Sequence, residues 1–248
     1  SHYLAELYLA MDKSVDAEKK ALLVCNDPQY KLITARYGVR ANQPGVAFMD
    51  QFYDGNTLRS QGNTEALWTF ISAEETPGGI GFTSRRGWLT RYDLNGVPVS
   101  AEYGGRGLAM QTFTAYAFDV YDDPNDERFS EYAIRKYWVK PNGDTIIAQM
   151  SRDREPTMSA LNNYKWACTR KWDWVSPDPA KVAAATQEND MAYLRVAETY
   201  LLLAEALMKN GKNTEAAEWI NKLRRRANAS EIAPGDVTLD FILDERSR

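Results

Sequence analysis

The sequence predicts a mostly α fold in which helical hairpins pack against an irregular, loop-rich region with a few short strands. Two observations carry this expectation. Residues 193–228, "YLRVAETYLLLAEALMKNGKNTEAAEWINKLRRRAN", show apolar residues at helical spacing on both sides of a tight turn. Residues 4–24, "LAELYLAMDKSVDAEKKALLV", align without gaps on residues 203–223, matching Leu4 to Leu203, Ala5 to Ala204, Glu6 to Glu205, Lys13 to Lys212 and Ala17 to Ala216. The beginning and the end of the chain therefore read as two copies of one unit. A lone hairpin cannot bury its own apolar face, and stacked repeats need at least about three units, so further units are expected upstream of residue 1.

Each hairpin is of the tetratricopeptide type, a two-helix repeat of about 34 residues. In the second copy Tyr193, Ala197, Tyr200, Ala204 and Leu207 form one face, and Ala216, Ile220, Leu223 and Ala227 form the facing one. The alanines allow close approach. Gly211 supplies the left-handed residue that ends the first helix, Asn213 or Thr214 is expected to cap the second, and Glu215 suits its first turn. The triplet Arg224, Arg225 and Arg226 is placed on the solvent side of the helix end, where cations suit the dipole. "SHYLAELYLAM" starts in helical periodicity without a cap and "FILDERSR" reads as the first turns of another helix, so the chain is expected to be an internal portion of a longer protein.

Three segments follow: a hairpin at residues 1–34, an irregular region at 35–190, and a hairpin with the start of a further helix at 191–248, expected to form one integrated unit. Within the irregular region "EALWTFISA" (65–73) predicts a short strand or helix with Trp68 facing the core. Residues 78–107, "GGIGFTSRRGWLTRYDLNGVPVSAEYGGRG", are glycine-rich and aromatic and read as surface loop. A helix is expected around 112–121, an Asx-type turn at "DDPNDER", and a hairpin about Asn142 and Gly143. "YKWACTRKWDWVSPDP" reads as a second aromatic loop.

Composition excludes several classes of function. A formal net charge of -4 and a pI near 5.3 give no support for nucleic acid as the main partner. No stretch reaches the roughly 20 apolar residues of a membrane span. Any export signal or lipid anchor would lie upstream of residue 1. His2 is the only histidine, so Ser-His and Cys-His mechanisms lack their base, and no acidic residue stands in a recognisable catalytic frame. Cys25 and Cys168 lack metal-ligand spacing; two separate thiols are expected, with a Cys25–Cys168 disulfide in an oxidising compartment as the alternative. "DDPNDER" lacks the spaced ligands of a calcium loop. No cofactor or metal is expected.

The order of these pieces resembles the SusD/RagB-like outer-membrane lipoproteins of Bacteroidetes, nutrient-binding proteins that work beside a TonB-dependent transporter. The resemblance rests on "AYLRVAETYLLLAEALMKNGKNTEAAEWINKLRRRAN", "YDDPNDERF", "NDPQYKLIT" and "FILDERSR", and covers nearly the whole chain. Two features depart from it: Gln111 and Thr112 replace the usual Pro-Thr, and the Arg-Trp-x-Asp-Leu segment that follows in the family lies beyond Arg248. The resemblance implies a non-catalytic binder of oligosaccharide, a SusC-like transporter as partner, and an N-terminal lipid anchor outside this sequence.

Sugar binding needs flat aromatic faces and convergent polar donors. "RRGWLTRYD" offers Trp88 and Tyr92 as platforms with Arg85, Arg86 and Arg91 as donors, and Tyr103 in "AEYGGRG" extends the platform. The plainer reading is that Trp88 covers the loop's own small core. Trp166, Trp172 and Trp174 form a second candidate cluster, with Trp172 and Trp174 expected on one face of an extended segment and at least one of the cluster packed on the scaffold. Four arginines between residues 85 and 106 suit an acidic ligand, uronic acid or peptide. A tetratricopeptide adaptor for a protein partner is the remaining alternative; the position of Trp88 and Tyr92, exposed together or buried, discriminates between these readings.

Overall fold

The computed structural model describes residues 1–72, 81–150, 165–174, 176 and 178–248. Part of the expected strand at 65–73, the start of the 78–107 loop and part of the second aromatic loop lie outside them.

The first hairpin consists of α1 (His2–Ala10) and α2 (Ser14–Cys25). Small residues on one face, Ala5, Ala17 and Ala21, are fully buried, and that stripe is what lets α2 lie close against α6 (Val196–Lys209) nearly two hundred residues later. α6 and α7 (Asn213–Arg226) form the second hairpin, and α8 (Leu239–Ser247) packs against α6. One core joins both copies, with Leu203, Ala204, Leu207, Ala216 and Ile220 fully buried in it. The two copies thus bury each other's apolar faces. Polar groups fix the contact: the Ser14 hydroxyl donates to Asn210 Oδ1 at 2.6 Å, while Asn210 and Lys212 donate to the two oxygens of Glu18, each at 2.7 Å.

The copies share their turn as well as their faces. Gly211 has φ +73°, and Asp12, its counterpart in the first hairpin, has φ +54°. Aspartate is among the few side chains that enter this left-handed region at moderate cost. The capping differs from expectation, because α7 begins at Asn213 with Lys212 as its N-cap and no side-chain cap bond, as α2 begins at Ser14 after Lys13. Lys212 instead reaches across to Glu18. α8 does start on a side-chain cap, Thr238 Oγ1 accepting from Phe241 N at 3.1 Å.

The irregular region is tied to the hairpins by strand β1 (Ala66–Phe70), which pairs antiparallel with β6 (Met191–Arg195) immediately before α6. Leu67 packs on the hairpin core, so period-two alternation sends Trp68 to the opposite face, where it is 49% exposed. This corrects the expectation that Trp68 faces the core. Beside the strand the fully buried Glu65 gathers the Ile33 N–H at 3.0 Å, Arg195 at 3.3 Å and Arg226.

The region has a core of its own, in which Tyr92, Phe118, Trp138, Trp166 and Cys168 are buried. Around it lie the short helices α3 (Ala47–Asp50), α4 (Ser84–Trp88) and α5 (Ala115–Asp119). α5 is shorter than the 112–121 expected, since Thr114 caps its start, accepting from Ala117 N. β2 (Ile134–Arg135) pairs with β5 (Cys168–Thr169), and β3 (Tyr137–Val139) pairs with β4 (Thr145–Ile147). Pro141, Asn142 and Gly143 turn this last hairpin, with Gly143 at φ +90°. "DDPNDER" forms Asx turns: Asp123 accepts from Asn125 N and Asp126 from Arg128 N, both at 2.9 Å. Cys25 and Cys168 are separate buried thiols, and burial pushes the Cys25 thiol up to about 12.

The arginine triplet is not on the solvent side. Arg224 and Arg226 are buried, Arg224 on Glu245 at 3.0 Å and Arg226 on Glu65; Arg225 alone faces outward, between Glu218 and Glu231. The helix end is pinned by carboxylates from α8 and from the approach to β1, which no local periodicity announces.

Candidate functional site

α4 carries the first three residues of the predicted ligand loop and splits them. Arg85 is fully buried: its guanidinium donates to the carbonyls of Val182, at 3.1 Å, and Ala184, and lies 5.5 Å from the Trp174 ring centroid. Burial lowers its pKa to about 10. Gly105 is obliged here, since a Cβ would collide with Arg85 Nη1 and the Val182 carbonyl. Arg85 therefore clamps two loops together, and the donor role expected for it is corrected to a structural one.

Tyr92 and Tyr103 are corrected in the same way. Tyr92 is 1% exposed; its hydroxyl donates to the Gly105 carbonyl at 2.7 Å and its ring stacks on Trp138, 6.4 Å between centroids. Tyr103 packs edge-on against Tyr92 and its hydroxyl accepts from Val139 N at 3.0 Å. An aromatic with both ring faces covered offers no surface for a sugar. Trp174 is likewise buried, against Arg85, and Trp172 is half-buried in the turn before it, so the pair does not share one exposed face. Arg91 is paired bidentately with Asp93, both bonds 2.8 Å, and this holds the Asp93 carboxyl below its usual range.

What remains accessible on the loop is more compact. Trp88 is half-buried, with its ring 6.1 Å from that of Phe113, itself half-buried. The segment following the glycines lies along α4: Leu108 N donates to the Arg86 carbonyl at 2.7 Å, Ala109 N to that of Leu89 at 2.9 Å and Gln111 N to that of Gly87 at 2.9 Å. Gly107 permits this approach, because a Cβ there would meet the Leu89 carbonyl. Three polar atoms of this cluster are buried without a hydrogen-bond partner: Arg86 Nε, Arg106 Nε and Thr112 Oγ1. Two half-open rings with half-buried polar side chains close to them in the chain, Arg86 and Thr112, are the combination that oligosaccharide recognition uses.

Phe113 was not singled out by sequence reasoning, Gln111 only as a departure from the family, and Arg106 only as one of four arginines. The signal for this grouping is tertiary: backbone bonds that lay residues 108–111 along α4. A second aromatic surface also surfaced only in the structure, where Trp68, Phe70 and Tyr193 on β1 and β6 lie 4.9 to 5.6 Å apart with Trp68 and Tyr193 exposed.

Comparison with known families decides what these pieces belong to. The model of the SusD family matches residues 27–248. The chain belongs to the SusD family. Solved structures agree in fold. Surface glycan-binding protein A from Bacteroides uniformis superposes with a TM-score of 0.64 at 17% identity, over 98% of this chain and 44% of that one. Surface glycan-binding protein A from Bacteroides thetaiotaomicron, in complex with laminarihexaose, gives 0.62 at 17% identity over 98% and 49%. A laminarin binding SusD-like protein gives 0.61 at 18% over 99% and 50%. The chain thus spans about half the length of these SusD-like structures. No sequence among the curated proteins matches it.

Proposed function

We propose that this SusD-family chain captures an oligosaccharide at the cell surface, without catalysing a reaction, and presents it to a SusC-like TonB-dependent transporter in the outer membrane, held there by a lipid anchor outside these residues. The observation that carries the proposal is the pair of half-open rings, Trp88 and Phe113, with the half-buried Arg86 and Thr112 side chains next to them in the chain. The rings take the C–H face of a pyranose, and the exposed parts of the Arg86 and Thr112 side chains take its hydroxyls. Trp172, half-buried, is the remaining ring of the second loop and is kept as a lesser contact. Arg91 contributes through Asp93 to the shape of the loop. The named ligands of the similar structures, laminarihexaose and laminarin, make a β-glucan the first probe. Handing cargo onward requires release, so modest affinity is expected.

Isothermal titration of the protein with laminarihexaose, maltohexaose and an oligouronate tests this. Saturable heat with one class supports capture and names it. Absence of heat with all three, alongside heat with acidic or basic peptides, overturns the glycan reading in favour of peptide cargo.

A further inference from the structure

A partly open pocket of about 100 Å³ lies where α3, β6, α6, α7 and α8 meet, apart from the ligand loop. Lys171, Arg195 and Arg226 line it around the ring of Phe48, at 5.1, 5.9 and 5.0 Å from the ring centroid. The two arginines share one carboxylate, that of Glu65. The Lys171 ammonium makes no ion pair and no hydrogen bond among the described residues. Arg226, whose side chain is 3% exposed, leaves its Nε without a partner. The other charges of the wall are already committed: Arg128 to Asp126 and Glu245, Arg248 to Glu245, and Glu198 to Arg246 at 2.9 Å. Three basic side chains, the two guanidinium groups and the half-buried Lys171, thus face one carboxylate at this end of the cavity.

Buried charge is tolerated when it is paired and becomes costly when it is not. The Phe48 face offsets part of the repulsion through cation–π attraction, which is weaker than an ion pair. We infer that the cavity binds a small oxyanion, a carboxylate or sulfate, between Lys171, Arg195 and Arg226. Guanidinium groups present the planar donor fork that such anions match. A space of about 100 Å³ suits a small anion such as formate or sulfate better than a sugar ring, and its lining shares no residue with the Trp88 cluster.

The test is thermal unfolding at constant ionic strength with chloride replaced stepwise by sodium formate, sulfate or glucuronate, on wild type and on Lys171→Met. Formate and sulfate are expected to raise the wild-type Tm saturably by several degrees, glucuronate to leave it unchanged, and Lys171→Met to lose the formate response while unfolding in chloride no lower than wild type. Line broadening of ¹³C-formate by the wild-type protein, competed by sulfate, reads the same site without any variant. A wild type indifferent to formate, a formate response equal in Lys171→Met, or a glucuronate response equal to that of formate would each overturn the inference.

Discussion

Replacing Glu65 by glutamine removes one charge from the junction that joins the irregular region to the helical scaffold, and it does so without changing volume. Glu65 is fully buried, with Oε1 accepting from Ile33 N and Arg226, and Oε2 facing Arg195 at 3.3 Å. A glutamine oxygen retains the Ile33 bond, but the amide leaves Arg195 and Arg226 with no carboxylate. Removing one partner of a buried pair costs about 3–5 kcal/mol, because the surviving charge stays desolvated. That is a large fraction of the ~5–15 kcal/mol by which domains are stable. Urea unfolding followed by far-ultraviolet circular dichroism is expected to show this loss for Glu65→Gln, and to show part of it recovered in Glu65→Gln/Arg226→Met, where the orphaned charge is also removed. A loss below about 1 kcal/mol for the single variant would refute the reasoning that Glu65 compensates these arginines.

Further outcomes follow from the same structure. Tyr92→Phe deletes only the hydroxyl that donates to the Gly105 carbonyl, so it should cost about 0.5–1.5 kcal/mol in denaturant unfolding and leave glycan affinity intact. Gly211→Ala should cost about 1 kcal/mol, since φ +73° is disfavoured for a side chain although the space beside it is open; Gly211→Asp, which reproduces the residue at Asp12, should cost less when measured the same way. Burial beside Arg195, Arg128 and Arg226 lowers Lys171 to about 7, whereas the unfolded lysine keeps its proton to near 10. Between those values the unfolded state binds the extra proton, so wild-type stability should gain with rising pH across that window relative to Lys171→Met. Of the carboxylates on the same wall, burial raises Glu198, while Glu245, despite its burial, is held below its ordinary value by Arg128, Arg248 and Arg224.

The repeat units were legible because helical spacing and small-residue faces are local properties: Ala5, Ala17, Ala204 and Ala216 announced their contacts at 0% exposure. The hairpin at Asn142 and Gly143 was legible for the same reason. The site was less so. Whether an aromatic in a glycine-rich loop covers a core or faces solvent depends on groups distant in sequence. For Tyr92 these are the Gly105 carbonyl and Trp138; for Arg85 they are the carbonyls of Val182 and Ala184. Arg224 and Arg226 were misplaced because their anions, Glu245 and Glu65, come from other elements. Trp68 was misplaced by one residue of register, with Leu67 taking the core face in its stead.

The central claim is that this chain holds a glycan through the Trp88 cluster. Affinity electrophoresis of the soluble protein through gels containing neutral, uronic or sulfated polysaccharides, with Trp88→Ala in the adjacent lane, addresses it most directly. The account predicts that one polysaccharide class retards the wild type and that the retardation is lost in Trp88→Ala while the variant migrates as a folded protein in the blank gel. Equal retardation of both proteins would contradict the placement of the site, and free migration in every gel would contradict glycan capture itself.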